Sequence, residues 1–496
     1  MAVAALFLLS SQSTVLHAAT LSTVDQSTAQ IEYQPEATIE LPDLGASADN
    51  VLSPAAEQRL GRAFMSSVRA SEIVINDPYL SSYIRQLGHQ LASNSDAAGR
   101  HFEFFMIDSA SINAFAGPYG YIGINSGLIL STQSEGELAS VLAHEIAHVS
   151  QNHLMRAFDT ASQMGLATAA MILAAIILGA AGSPDASIAA IAGAQANMVQ
   201  QQINFTRSNE KEADHVGMQI LSKSQFDPRD MPSFFSRLTK ANRIYESGAP
   251  EILRTHPVTT NRIADAMGRA DQYPYRQHQS KLTYHFVRAA LKAKSFRQPE
   301  EAVSHFKAVL KDGRYRSQDG VRYGYAIALT RNRNYAEAEE LLSALKSKHP
   351  NNVGIIIAQA DLQHQQQQYD AALAILATGL QQNPDNYPLK FNYTEVLLAS
   401  GKAEQALAEM ASLISWHPTD PPLRKLYSQV AKKAGARITA REQLSEYYYL
   451  MGDIEPAIQQ LRLALSDEKD IDYYQAARIG ARMKALQIEL SSQTKR

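Results

Sequence analysis

Apolar residues are arranged in three ways along this chain. Up to about residue 160 they mark amphipathic helices and short strands. A nearly unbroken apolar stretch then runs to about 199, and a long-period repeat occupies the last two-fifths. Between Ala56 and Ser93 the spacing predicts helix in two pieces, broken at Asn76-Asp77-Pro78, because proline disfavours helix in the residue before it. Phe102 to Ile107 predicts a strand, with aromatic residues suited to a half-buried sheet. Asn113 to Pro118 and Tyr119 to Asn125 predict strand, turn and strand. A helix is expected to follow directly. Leu138, Leu142, Ile146 and Val149 form its buried stripe, and Ser134-Glu135-Gly136-Glu137 matches a capping box at its start.

Met164 to Ala181 is alanine-rich and almost continuously apolar, and Ile188 to Val199 is similar after Ser183-Pro184-Asp185. The first segment lies at the lower length limit for a membrane span. Its small residues and the short turn favour a helical hairpin packed on the protein or touching a bilayer surface. Beyond the polar stretch Asp271 to Lys281 the pattern is helical throughout. Pro350, Pro384 and Pro418 recur every 34 residues, and Ala338, Ala372 and Ala406 keep the same interval. That period predicts tetratricopeptide repeats, two antiparallel helices each, with proline ending the second. Units near Ala302 and Ala457 are off register and read as degenerate or capping repeats. Gln365 to Gln368 reads as a solvated turn between helices. Trp416, Tyr447, Tyr448 and Tyr449 are expected in repeat packing rather than as groove anchors.

A length of 496 residues implies two or three domains. The formal charge of −3 leaves no basic excess to displace counterions from phosphates, so nucleic acid is not an expected partner. Cysteine is absent, which removes disulfides, thiolate ligands and a cysteine nucleophile together. The apolar run Ala2 to Leu9, with His17-Ala18-Ala19 after it, resembles a secretory signal without its basic start. Thr20 to Ala55 is rich in Ser, Thr, Gln and Pro and reads as a linker or arm.

The chemistry starts at His144-Glu145-Ile146-Ala147-His148, an H-E-x-x-H inside an apolar helix. Histidines four apart share a helical face and can reach one metal ion, and the intervening glutamate can act as general base toward a metal-bound water. Downstream, Asn209-Glu210-Lys211-Glu212-Ala213-Asp214 puts Glu210 and Asp214 on one face, with Glu212 pointing elsewhere. Glu210 is the candidate third ligand, and Asp214 a candidate for orienting a ligand or handling a proton. Gln151 and Leu154 stand where a metzincin needs Gly and His, which excludes that class. His153 is rotated off the ligand face and is expected at the surface. Two histidines and a carboxylate, with no cysteine, suit Zn2+.

H-E-x-x-H followed at a distance by N-E-x-E-A-D resembles the gluzincin peptidases of the CaaX-protease and HtpX type. Asn113-Ala114-Phe115-Ala116, Thr255-His256-Pro257 and Arg262-Ile263 look like further landmarks of that family. The expected fold class is therefore an α+β zincin-like metallopeptidase domain, mostly helical with a small sheet, followed by an all-α tetratricopeptide-repeat solenoid. The expected boundaries are 1–19 for the signal-like segment, 20–55 for the arm, 56–270 for the peptidase with its hairpin at 164–199, and 281–490 for the repeats. The resemblance implies His144, His148 and Glu210 as zinc ligands and Glu145 as the catalytic carboxylate. It also implies Asp214 as proton donor or ligand orienter, and His256 as a regulatory fourth ligand able to hold the enzyme latent. By the same resemblance to periplasmic members with repeats, the partners are misassembled or unfolded outer-membrane proteins, the barrel-assembly machinery and the lipopolysaccharide-transport barrel, with chaperone-like activity beside proteolysis. Two alternatives stay open: a repeat scaffold whose zinc site is mostly shut, and an integral membrane protease spanning at Met164 to Ala181.

Overall fold

The structure, a computed structural model, describes residues 53–162, 196–244, 250–466 and 471–494. Helices α1 (Pro54–Ser71) and α2 (Pro78–Ala92) each open with proline, whose missing N–H would lack a partner in a first turn anyway. The Asp77 carboxylate caps α2 by accepting the N–H groups of Tyr79 and Leu80 at 3.0 and 3.1 Å. The sheet contains β1 (Glu103–Ile107), β2 (Ala114–Ala116) and β3 (Tyr121–Asn125) in the order β1-β3-β2. β3 runs parallel to β1, with Glu103 opposite Tyr121, and antiparallel to β2, with Ala114 opposite Ile124. Val74 bridges to Ile107 along the outer side of β1, so that edge is partly covered. β2 forms the other edge and packs against the H-E-x-x-H helix described next.

A short helix, α3 (Ser126–Ser131), intervenes where the sequence pattern led straight from strand to helix. Leu128 and Ile129 are fully buried in it, too few residues to show a period. α4 (Glu135–Ser150) is buried at every position from Glu135 to Ala147. Ser134 Oγ accepts the Glu137 N–H at 3.1 Å. The Glu137 carboxylate reaches the N–H of Gln133 at 2.6 Å, one residue earlier than in the standard box. After α5 (His153–Ser162), α6 (Ala196–Lys223) packs along α4. Gly217 permits the close approach, since a Cβ there would lie 3.3 Å from the backbone nitrogen of His144. The hairpin expected at 164–199 falls outside the described residues except for 196–199, which are helical. Among the described residues no helix is long and apolar enough to cross a membrane. Helices α7 (Asp230–Ile244), α8 (Glu251–Thr255) and α9 (Thr260–Ala270) complete this part.

From Leu282 onward the chain is a succession of helices, each packed on its neighbours. Helices Tyr335–Lys348, Tyr369–Gln382 and Ala403–Trp416 end just before Pro350, Pro384 and Pro418. Their fourth residues, Ala338, Ala372 and Ala406, have no exposed surface. Ala440 continues the 34-residue period, and Ala302 and Ala457 are equally buried at the fourth position of their own helices. Gln365 to Gln368 does form the turn, with Gln367 in the left-handed region at φ 61°. Trp416 departs from expectation. It is 79% exposed at the last position of its helix and packs in no core, while Tyr447, Tyr448 and Tyr449 are half-buried.

One hydrophobic cluster runs without a gap from the sheet and α4 through Tyr284 and Phe286 into Tyr323, Leu342 and Leu362 of the repeats. The connection is pinned by polar contacts as well. Glu135 at the start of α4 accepts from Tyr83 Oη at 3.1 Å and from the Lys281 N–H at 2.9 Å. Later repeats return to α1 and α2 through Arg62–Glu489 at 3.0 Å and Arg85–Asp420 at 3.1 Å. Tyr79 of α2 lies against Gly354, where a Cβ would stand 2.5 Å from its hydroxyl.

Candidate metal centre

α4 buries its leucine stripe in the core, which leaves His144, Glu145 and His148 along the line where α6 and the chain after α8 converge. His144 Nε2 and His148 Nε2 are 3.1 Å apart. Glu210 of α6 places its two carboxylate oxygens 3.4 Å from His144 Nε2 and 3.5 Å from His148 Nε2. His256, just past α8, brings Nδ1 to 2.9 Å from Glu210 and 3.3 Å from His144 Nε2. The four donors all lie within 4.8 Å of one another. A tetrahedral ion with bonds of roughly 2.0–2.1 Å needs donors about 3.3–3.4 Å apart. The set fits a metal ion on spacing and on chemistry: two facing imidazole nitrogens can share only one proton, whereas a cation satisfies every lone pair.

Asp214 Oδ1 lies 3.1 Å from His144 Nδ1, close enough for an ion pair although off the ideal hydrogen-bond direction. Arg262 of α9 locks both carboxylates. It donates two bonds of 2.8 Å to Asp214 and one of 2.7 Å to Glu210. Its guanidinium also lies over the Phe235 ring at 5.1 Å, and the side chain is 4% exposed. Burial opposes ionisation of Glu210, but His256, His144 and His148 outweigh it and hold its pKa well below the carboxylate range. Asp214 is lowered in the same way by His144 and Arg262 against burial. Burial disfavours the charged form of His144 too, yet Asp214 and Glu210 push its pKa up to about 10, while burial drives His148 down to about 3.

Glu145 has both carboxylate oxygens buried without a hydrogen-bond partner, and its nearest cation-capable neighbour is His256 Nε2 at 3.5 Å. A buried carboxylate left this way is expensive to keep, which marks the position as one held for chemistry.

All six residues singled out in the sequence thus converge. Two further participants escaped that reading. Arg262 stands in the sequence only as a family landmark, because nothing in local spacing ties α9 to α6. His153, expected at the surface, is buried beside His148 with 2.8 Å between their Nδ1 atoms. α4 ends at Ser150 and Asn152 turns the chain at φ 54° before α5 begins, so His153 does not continue the α4 helical wheel.

An H-E-x-x-H helix beside a small sheet, a distant glutamate on a second helix and a helical-repeat solenoid together define a gluzincin-type metallopeptidase. Residues 78–270 match peptidase family M48, and residues 293–360 and 363–430 match tetratricopeptide repeats. The chain is 36% identical to the beta-barrel assembly-enhancing protease of Yersinia pestis, covering 71% of this chain and 72% of that one. Against the protein of the same name from Escherichia coli K12 the identity is 35%, over 73% and 74% of the two chains. A Vibrio cholerae relative is 42% identical over 65% of this chain and 67% of its own. The chain belongs to the beta-barrel assembly-enhancing protease family and is a metallopeptidase with tetratricopeptide repeats.

Proposed function

We propose that this protein is a zinc-dependent endopeptidase of the periplasm, with chaperone-like activity in the quality control and assembly of outer-membrane β-barrel proteins. In this reading residues 1–19 direct export, 20–55 form an arm, 56–270 cleave and 281–490 bind clients. The observation that carries it is the convergence of His144, His148, Glu210 and His256 beside the unpartnered Glu145 carboxylate. A metal ion there supplies the acidification of water and the polarisation of a scissile carbonyl. Glu145 takes the proton of the attacking water and delivers it to the departing amine nitrogen. Asp214, clamped by Arg262, orients His144. The β2 edge beside α4 offers backbone groups to which an extended client adds as a strand. Binding in the repeats raises the client's local concentration there, so a tight cleft is not required. The names of the relatives support barrel precursors as clients. The barrel-assembly machinery and the lipopolysaccharide-transport barrel are the neighbours this reading proposes, beyond what those names say.

The test is metal analysis with cleavage of an unfolded outer-membrane protein. The purified chain is expected to hold one zinc ion, and Glu145→Gln to keep it while losing cleavage. Full activity in that variant would exclude the reading. His256 favours a second state of the same protein, because it takes a donor position that an open catalytic site leaves to water. In that latent state the chain acts as scaffold or chaperone, and His256→Ala is expected to raise proteolysis. A fall in proteolysis would instead give His256 a role in stabilising the transition state.

A further inference from the structure

His148 is held from behind by residues that take no part in the donor cluster. His153 Nδ1 stands 2.8 Å from His148 Nδ1, and its Nε2 stands 3.0 Å from Glu212 Oε2. Arg156 donates to the same Glu212 oxygen at 3.0 Å and to Asn209 Oδ1 at 3.3 Å. Two residues of α5 and two of α6 therefore close a polar chain that ends on one metal-facing imidazole.

The directions of these bonds follow from donor chemistry. An ionised carboxylate only accepts, so His153 carries its proton on Nε2 and donates it in a hydrogen bond to Glu212 Oε2. Arg156 on the same oxygen already balances the carboxylate charge, which leaves His153 neutral and its Nδ1 bare. Two facing Nδ1 atoms need one donor, and His148 must supply it. Its proton is thereby fixed on Nδ1, and its lone pair on Nε2, the atom that faces His144 and Glu210.

We propose that His153 is a positioning residue: backed by Glu212 and Arg156, it sets the tautomer and the ring orientation in which His148 ligates the metal. This rests on the reading of His148 as a ligand. The two ligand histidines are oriented by different devices. His144 faces a carboxylate directly, whereas His148 reaches its carboxylate through an intervening imidazole.

The experiment is zinc affinity of the full chain by competition with a zinc-chelating dye, with long-range 15N spectra of the metal-free protein reporting the His148 tautomer. His153→Leu is expected to weaken zinc binding by about 10–100-fold and to release the Nδ1–H tautomer. His153→Gln, whose amide accepts from His148 and donates to Glu212, is expected to restore most of both. Leu and Gln variants that bind equally well, with the tautomer unchanged, would overturn the proposal. If His153→Leu does not fold, Glu212→Ala at a half-buried position carries the same test. It is expected to weaken zinc several-fold, and unchanged affinity there would also overturn the proposal. The two readings fail differently. Wild-type protein that binds no zinc, or binds it as tightly after His148→Ala, removes the metal centre itself and this proposal with it. Tight wild-type binding that ignores position 153 removes only the positioning role.

Discussion

The candidate metal centre shares one continuous core with the first repeats, but centre and solenoid are specified in opposite ways. In the repeats the fully buried fourth-position residues are alanines at Ala338, Ala372 and Ala406, whose small side chains let paired helices approach closely. In the centre His144, Glu145, Glu210, Asp214 and Arg262 are each at most 5% exposed. There the fold holds charges, and all but the unpartnered Glu145 carboxylate are held by residues from another element. A periodic region tolerates a local error because each helix answers mainly to its neighbours. A convergent site does not, since removing one charge strands the rest.

Four substitutions would break or sharpen that contrast. The largest effect is expected for Glu145→Gln, a loss of about 10²–10⁴-fold in peptide cleavage with unchanged metal content, read by steady-state kinetics. Arg262→Leu comes next. It leaves Glu210 and Asp214 buried without their cation, and urea unfolding in the presence of a chelator should show a loss of about 3–5 kcal/mol. A loss no larger than that of a repeat variant would dissolve the distinction. Ala406→Leu overpacks the close contact in the repeats and is expected to lose about 1–3 kcal/mol in the same assay, with zinc affinity retained. The smallest effect is expected for Arg85→Ala. Its ion pair with Asp420 links α2 to a late repeat helix; the arginine is partly exposed and the buried Asp420 keeps the Leu423 N–H, so its removal should change stability by about 1 kcal/mol.

What the sequence disclosed follows the same division. Breaks at Asn76-Asp77-Pro78, the H-E-x-x-H helix and the 34-residue period are local signals, and each appears in the structure at its expected place. Glu210 and Asp214 were legible as a shared face because four residues along a helix is also a local relation. His256 had no spacing signal and was singled out only through family resemblance. His153 was misplaced because a wheel was extended past the end of its helix. Trp416 was assigned to packing on residue type, although its position at a helix end points it to solvent. Arg262 and the seat of Tyr79 on Gly354 are long-range contacts that no pattern within one segment encodes.

The guanidinium of Arg262 has a consequence that does not depend on any bound ion. Its charge is permanent at any physiological pH, unlike that of an imidazole or an exchangeable ion. Glu210 and Asp214 therefore keep a counterion that belongs to the fold itself, and their mutual repulsion is offset without any help from a metal ion.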